Sequence, residues 1–166
     1  MDVKVTDGTA IVTSGDILIG LWKSPASLER WKWHLAEVEQ LAAQNAEGVI
    51  YLDLILPSST PPDSSVRSVM QADFRRLAGK LRKLVVVPLG NGIWLSVVRT
   101  IVRGTLLISG QSKQQIVAAT IDEGLDRVQD VAGPRTPSRV DLRLAIADLY
   151  KGLGLTEIDP AVSTGA

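Results

Sequence analysis

The sequence contains no cysteine and a single histidine, His34. The absence of cysteine excludes disulfide bonds, thiolate catalysis and zinc held by sulfur. His34 falls within a segment of helical periodicity, close to the apolar positions Trp31, Leu35 and Val38. Because no nucleophile or carboxylate is evidently paired with it, we expect His34 to be structural rather than catalytic.

The sequence also lacks net charge, since 18 lysines and arginines balance 18 aspartates and glutamates. Without a basic surface, binding to the phosphate backbone of nucleic acid loses its main driving force. No apolar run reaches the ~18 residues needed for a membrane span, and the first residues do not resemble a signal peptide. We therefore expect a cytoplasmic protein with neither a nucleic-acid partner nor a membrane span.

What the sequence does have is a regular alternation of predicted strands and helices. Two short strands and a third at 17–22 precede a helix, and further strands at 49–56, 84–89 and 116–121 alternate with helices. Residues 49–56 are apolar on both faces except at Asp53, which is typical of a central strand covered on both sides. This order predicts an α/β fold, with a mixed, mostly parallel sheet and helices packed on it.

The segment boundaries suggest one main domain followed by an additional helix. We expect an α/β domain at 1–131, a linker at 132–137, an amphipathic helix at 138–154 and a loose tail at 155–166. Two of the predicted helices begin with clear N-capping signals. Ser24 is predicted to cap the first helix, with Pro25 at its first position, and Ser138 with Asp141 forms a capping box for the last helix.

Motifs that carry chemistry are scarce. The sequence has no glycine-rich phosphate loop of the G-x-x-x-x-G-K type. Asp53 and Asp63 could meet at the carboxyl edge of the sheet, although two carboxylates alone make a weak magnesium site. We therefore expect a protein that is not an enzyme and has no metal and no cofactor.

The segment Asp63-Ser64-Ser65 follows a loop with three prolines, 57–62, and begins a predicted helix. Small polar side chains at this position cap free backbone N–H groups. The positive end of the helix dipole is also suited to a phosphate group. The sequence thus leaves both a capping role and a regulatory role open for this segment.

The order of these segments resembles the STAS domain, the fold of bacterial anti-sigma factor antagonists. The resemblance rests on Leu52-Asp53-Leu54 at the end of a buried strand, followed by Asp63-Ser64-Ser65 at a helix start. It implies an interaction domain of bacterial regulation with a phosphorylatable serine at Ser64. The chain differs from the family at Val66-Arg67-Ser68, where glycines are usual, and in its extra C-terminal helix.

Two further features concern partner surfaces. The helix at 93–108 is apolar over roughly 200° of its circumference, about twice what packing on one sheet requires. Either the C-terminal helix folds back over this surplus, or the surplus forms an oligomer interface. The candidates for that oligomer interface are Trp94, Val97, Ile101 and Ile108. The candidates for contacts with a regulatory protein are Asp63, Ser64, Ser65, Arg67 and Trp33.

Three functions remain open from the sequence. The first is a protein-interaction domain switched at Ser64, with a regulatory protein as its partner. The second is a structural homodimer formed through the 93–108 helix. The third is a domain that binds a small apolar ligand, which requires a pocket between the sheet and its helices.

Overall fold

The computed structural model describes residues 2–90, 92–108 and 114–156, except for the side chains of Trp94 and residues 105–108. It has an α/β fold, as predicted. Within these residues the sheet contains six strands, in the order in which they occur along the chain. The strands are β1 (Val3–Thr6), β2 (Thr9–Ser14), β3 (Ile17–Trp22), β4 (Val49–Ile55), β5 (Leu81–Pro88) and β6 (Gln115–Val117).

The sheet changes from antiparallel to parallel at β3. β1, β2 and β3 are joined by tight turns and pair antiparallel, whereas β3, β4, β5 and β6 pair parallel. Parallel neighbours need a crossover, and the helices supply it. The helices are α1 (Leu28–Ala43), α2 (Ser64–Arg76), α3 (Gly92–Ile108), α4 (Ile121–Gln129) and α5 (Arg139–Gly152).

Helices cover both faces of the sheet. The crossovers from β3 to β6 have the same hand and move across the sheet in the same direction, so their helices lie on the same face. α1, α2 and part of α3 pack on this face. α4 and α5 pack on the opposite face. β4 is buried on both sides, as predicted: Ile50, Leu52 and Leu54 point toward α4 and α5, and alternate residues such as Tyr51 point toward α1.

The position of α5 answers a question that the sequence left open. Leu142, Ala145, Ile146 and Leu149 are fully buried and belong to the same core as β1, β2 and β3. α5 therefore does not fold back over α3, and that alternative is wrong. The predicted linker also makes tertiary contacts, since the Thr136 hydroxyl donates to Asp16 Oδ2 at 3.0 Å and Arg82 pairs with the same carboxylate.

Several predicted boundaries need correction. Ser24 does not cap α1, because its backbone N–H is bonded to Gly8 O in a turn; Ser27 is the cap and accepts from Arg30 N. β5 begins at Leu81, earlier than the predicted strand at 84–89, and Ile121 begins α4 instead of ending the predicted strand at 116–121. Ser138 is confirmed as the cap of α5: its hydroxyl accepts from Asp141 N and donates to the Asp141 carboxylate. Among the described residues, no helix has the length and apolar character needed to cross a bilayer.

Candidate functional site

The start of α2 has a rigid, hydrogen-bonded geometry. Asp63 is the cap, and its Oδ1 accepts hydrogen bonds from Val66 N at 2.9 Å and from the Ser65 hydroxyl at 2.6 Å. These bonds, those from Ser65 first, lower the pKa of the Asp63 carboxyl. Ser64 is the first residue of the helix and is exposed. The predicted capping role therefore falls on Asp63, and Ser64 lies free at the surface.

The loop before α2 is held to the loop that follows β3. The Ser58 hydroxyl donates to Lys23 O at 2.6 Å, and the Ser59 hydroxyl donates to Ser24 O at 3.0 Å. Ser59 is almost fully buried as a result. Arg67 closes the loop from the helix side, because its Nη1 donates to Pro62 O at 2.7 Å. The loop and the first turn of α2 thus form one defined surface.

Trp33 does not belong to that surface. It is half-buried, packs edge-on against the His34 ring, and lines a different groove with Thr6, Asp7 and Arg30. Trp33, a candidate for partner contacts, is thus half-buried and lies away from Ser64. Trp33 packs against the part of the core that contains Trp22 and Trp31.

The interface candidates on α3 point in different directions. Val97 is 47% exposed, and Ile93, one turn earlier, is 85% exposed. Ile101 is half-buried and lines a cavity under loop 57–62. The side chains of Trp94 and Ile108 lie outside the described part of the structure. The apolar arc of α3 is thus divided between an inner face and an outer face.

A buried polar cluster lies between β2, β3, β4 and α1. His34 is fully buried, with its Nε2 2.7 Å from Thr9 Oγ1 and its Nδ1 2.8 Å from the Tyr51 hydroxyl. Its ring stacks on Trp22, with the ring centroids 4.0 Å apart. The Trp22 indole N–H donates to Asp53 Oδ1 at 2.7 Å. The sequence places His34 beside the core stripe, where it is indeed buried, but it does not reveal this cluster.

The donors of the cluster determine where its protons lie. The Thr9 hydroxyl donates to Leu21 O at 2.9 Å, so Thr9 accepts from His34 Nε2–H. His34 Nδ1 then carries the lone pair and accepts from the Tyr51 hydroxyl. Tyr51 also has a hydrogen-bonding contact with Asp53.

Burial changes the acidity of each group in the cluster. It lowers the pKa of the His34 imidazole from 6.5 to about 3, so the ring is neutral at neutral pH. Burial raises the pKa of the Asp53 carboxyl from 3.8 to about 7, against the opposing hydrogen bonds from Trp22 and Tyr51. Burial also raises the pKa of the Tyr51 hydroxyl, and the neighbouring Asp53 adds to that increase. All three groups favour their neutral forms, as expected where water is excluded.

Asp53 forms part of the wall of a mostly apolar cavity. The cavity has a volume of about 80 Å³ and lies under loop 57–62, between α2, α3 and the ends of β3, β4 and β5. Its apolar wall includes Trp22, Met70, Phe74 and Val98. Arg67, Ser59 and Thr60 are its other polar residues. The third function considered from the sequence required such a pocket.

Asp53 and Asp63, the two residues considered for magnesium binding, do not form a metal site. Asp53 is buried in β4 and bonded to Trp22, whereas Asp63 is exposed and caps α2. Over residues 2–90, 92–108 and 114–156, no group of three or more histidines, cysteines, aspartates or glutamates is close enough together to hold a metal ion.

Two signals in the sequence could have indicated the polar cluster: a lone aspartate in an apolar strand and a histidine beside a core stripe.

Comparison with known proteins does not assign the chain to a family. No protein-family model matches the chain, and no curated protein matches its sequence. The resemblance to STAS domains therefore stays a prediction from the order of the motifs and elements.

Proposed function

We propose that this chain is a non-enzymatic protein-interaction domain of bacterial regulation, recognised at loop 57–62 and the first turn of α2. The observation that supports this proposal best is the exposure of Ser64 at the first position of α2. The loop beside it is held by Ser58 and Ser59, so a partner meets a preformed surface. Preformed surfaces bind without an ordering cost.

Phosphorylation of Ser64 would change the charge of this surface. Asp63 and Arg67 are its two charged side chains and nearly balance each other. A phosphoserine adds about two negative charges at pH 7, directly beside the Asp63 carboxylate. A partner that docks on the balanced surface would then meet repulsion and lose affinity. Release on phosphorylation is the regulation we propose.

Mutation of Ser64 tests the proposal once a partner has been captured from the native host. We expect Ser64→Asp to weaken partner binding at least about tenfold and Ser64→Ala to leave it unchanged. Gln40→Glu is the matched control, because it adds one negative charge at an exposed position of α1. Mass spectrometry of the protein from its native cell should detect phosphate on Ser64. An unmodified Ser64, together with wild-type binding by Ser64→Asp, would rule out the switch.

A homodimer formed through α3 is a second candidate. It is favoured by the exposure of Ile93 and Val97, two large apolar side chains one turn apart. Sedimentation of the wild type and of Val97→Glu distinguishes the two cases. If the wild type is dimeric and Val97→Glu is monomeric, this face is the interface. If both are monomeric, the dimer is excluded.

A further inference from the structure

Among the residues that the structure describes, two aspartates are buried, and only one of them forms an ion pair. Asp16 is 4% exposed and forms an ion pair with Arg82. Asp53 is 7% exposed, and among the described residues no lysine, arginine or histidine lies within ion-pair distance of it. Buried carboxylates in proteins are normally paired with a cation or a metal. Asp53 therefore has the Trp22 indole N–H as a hydrogen-bond donor but no cation to pair with its ionised form.

The space next to Asp53 is the cavity under loop 57–62. Its wall is mostly apolar, and Asp53 is the acidic group in it. The volume of about 80 Å³ is roughly half that of an apolar cavity that holds benzene. An occupant would thus be a small hydrocarbon group, and its polar end would have to meet Asp53.

Charge decides which polar end fits. The indole N–H of Trp22 already donates to Oδ1 and holds the carboxyl in place. A carboxylate ligand would place two acids together, whereas an ammonium group would supply the missing cation and further N–H donors. Arg67 lines the cavity from α2, so a second positive charge on the ligand would be disfavoured.

We propose that this cavity is a binding site for a small apolar molecule with one primary ammonium group, which pairs with the Asp53 carboxylate. The hydrocarbon part packs against Trp22, Phe74 and Val98. Loop 57–62 and Arg67 border both this cavity and the surface proposed for a protein partner, but ligand binding at Asp53 requires neither phosphorylation of Ser64 nor a partner. It can be tested on the isolated chain.

The test compares isobutylammonium with isobutanol, two probes of the same shape that differ in charge. Each is titrated into the protein at pH 8 and constant ionic strength, and the Trp22 indole N–H is followed by two-dimensional NMR. That resonance reports directly on Asp53, because Trp22 donates to it. Its assignment comes from Trp22→Phe. We expect saturable shifts with isobutylammonium and at least about tenfold weaker binding of isobutanol.

Asp53→Asn is the matched variant, since asparagine keeps the shape and the oxygen that accepts from Trp22. We expect it to bind isobutylammonium at least about tenfold more weakly than the wild type does and to bind isobutanol equally. Ala26→Leu, which narrows the cavity beside Trp22, should weaken both probes. Equal binding of the two probes by the wild type, or undiminished amine binding by Asp53→Asn, would overturn the proposal. So would an unchanged Trp22 resonance.

The pH dependence of amine binding tests the same proposal without any variant. Between pH 8 and pH 6 the Asp53 carboxyl gains its proton, because its pKa is about 7, and amine affinity should fall several-fold. The groups that face Asp53 are Trp22, Tyr51, His34 and, from α2, Arg67. Of these, His34 and Tyr51 stay neutral over this range. Amine affinity that does not change between pH 8 and pH 6 would also overturn the proposal.

Discussion

His34 and Asp53 both lie next to Gly20, and burial acts on their proton affinities with opposite sign. His34 loses affinity for a proton and Asp53 gains it. Both effects have the same cause, because the interior disfavours whichever form carries the charge. Their consequences for stability therefore oppose each other over a shared range of pH.

The pH dependence of stability should reveal this opposition. Between pH 3.8 and about 7 the folded state keeps the Asp53 proton that the unfolded state has released, so Asp53 makes stability fall as pH rises. Between about 3 and 6.5 His34 is charged only in the unfolded state, so it makes stability rise with pH. We expect these two contributions largely to cancel in the wild type between pH 4 and 6.5.

Asp53→Asn should expose the histidine contribution. We expect the free energy of unfolding of the variant, relative to that of the wild type, to rise by as much as about 1.4 kcal/mol for each pH unit between pH 4 and 6.5. Urea denaturation at a series of pH values measures this difference. His34→Gln should show the opposite slope. A difference that does not change with pH would mean that Asp53 titrates near its usual value.

At the scale of single elements, Gly20 in β3 is what permits α1 to approach the sheet at this point. A Cβ at position 20 would lie 2.9 Å from both Asp53 Oδ1 and His34 Cε1. Gly20 pairs with Asp53 across β3 and β4, so the clash cannot be relieved by moving one loop. The backbone of β3 thus provides the space for the polar cluster.

Gly20→Ala should consequently destabilise the protein by about 1–3 kcal/mol, the usual cost of overpacking. Gly104→Ala is the matched control: Gly104 lies in α3, and an added Cβ meets nothing within 4 Å. We expect the control to be stabilising by up to about 1 kcal/mol, because alanine favours helix over glycine. Denaturant unfolding of both variants compares them directly. Equal stability of Gly20→Ala and the wild type would contradict the packing seen here.

α3 shows why the periodicity of a helix does not determine its environment. Val97 and Ile101 are four residues apart, and the sequence placed both on one interface. In the structure Val97 is 47% exposed, whereas Ile101 lines the cavity. An apolar arc indicates that a helix needs cover, but the elements beside it decide which part of the arc is covered.

At the scale of the whole molecule, α5 completes the core. It packs across β1, β2 and β3, next to α4. Arg139 pairs with Asp122 and Asp126 of α4 and so joins the two helices at the surface. Without α5, this face of the antiparallel strands would be open to water. The helix is therefore part of the domain.

Two leucines of α5 test this conclusion. Leu149 is fully buried, whereas Leu144 is 57% exposed. We expect Leu149→Ala to cost about 2–5 kcal/mol in free energy of unfolding, and Leu144→Ala to change it by no more than about 0.5 kcal/mol. Thermal or urea unfolding measures both. Equal effects would mean that α5 does not contribute to the core.

The sequence by itself determined the order of strands and helices, the covered central strand and the capped starts of α2 and α5. These features depend on local spacing and on capping chemistry, which neighbouring residues carry. Only the tertiary structure decided which face α5 covers, where Ile101 points and that His34, Tyr51 and Asp53 meet. Such contacts join residues far apart in the chain. Their geometry follows from packing the sheet between two layers of helices, which no local pattern records.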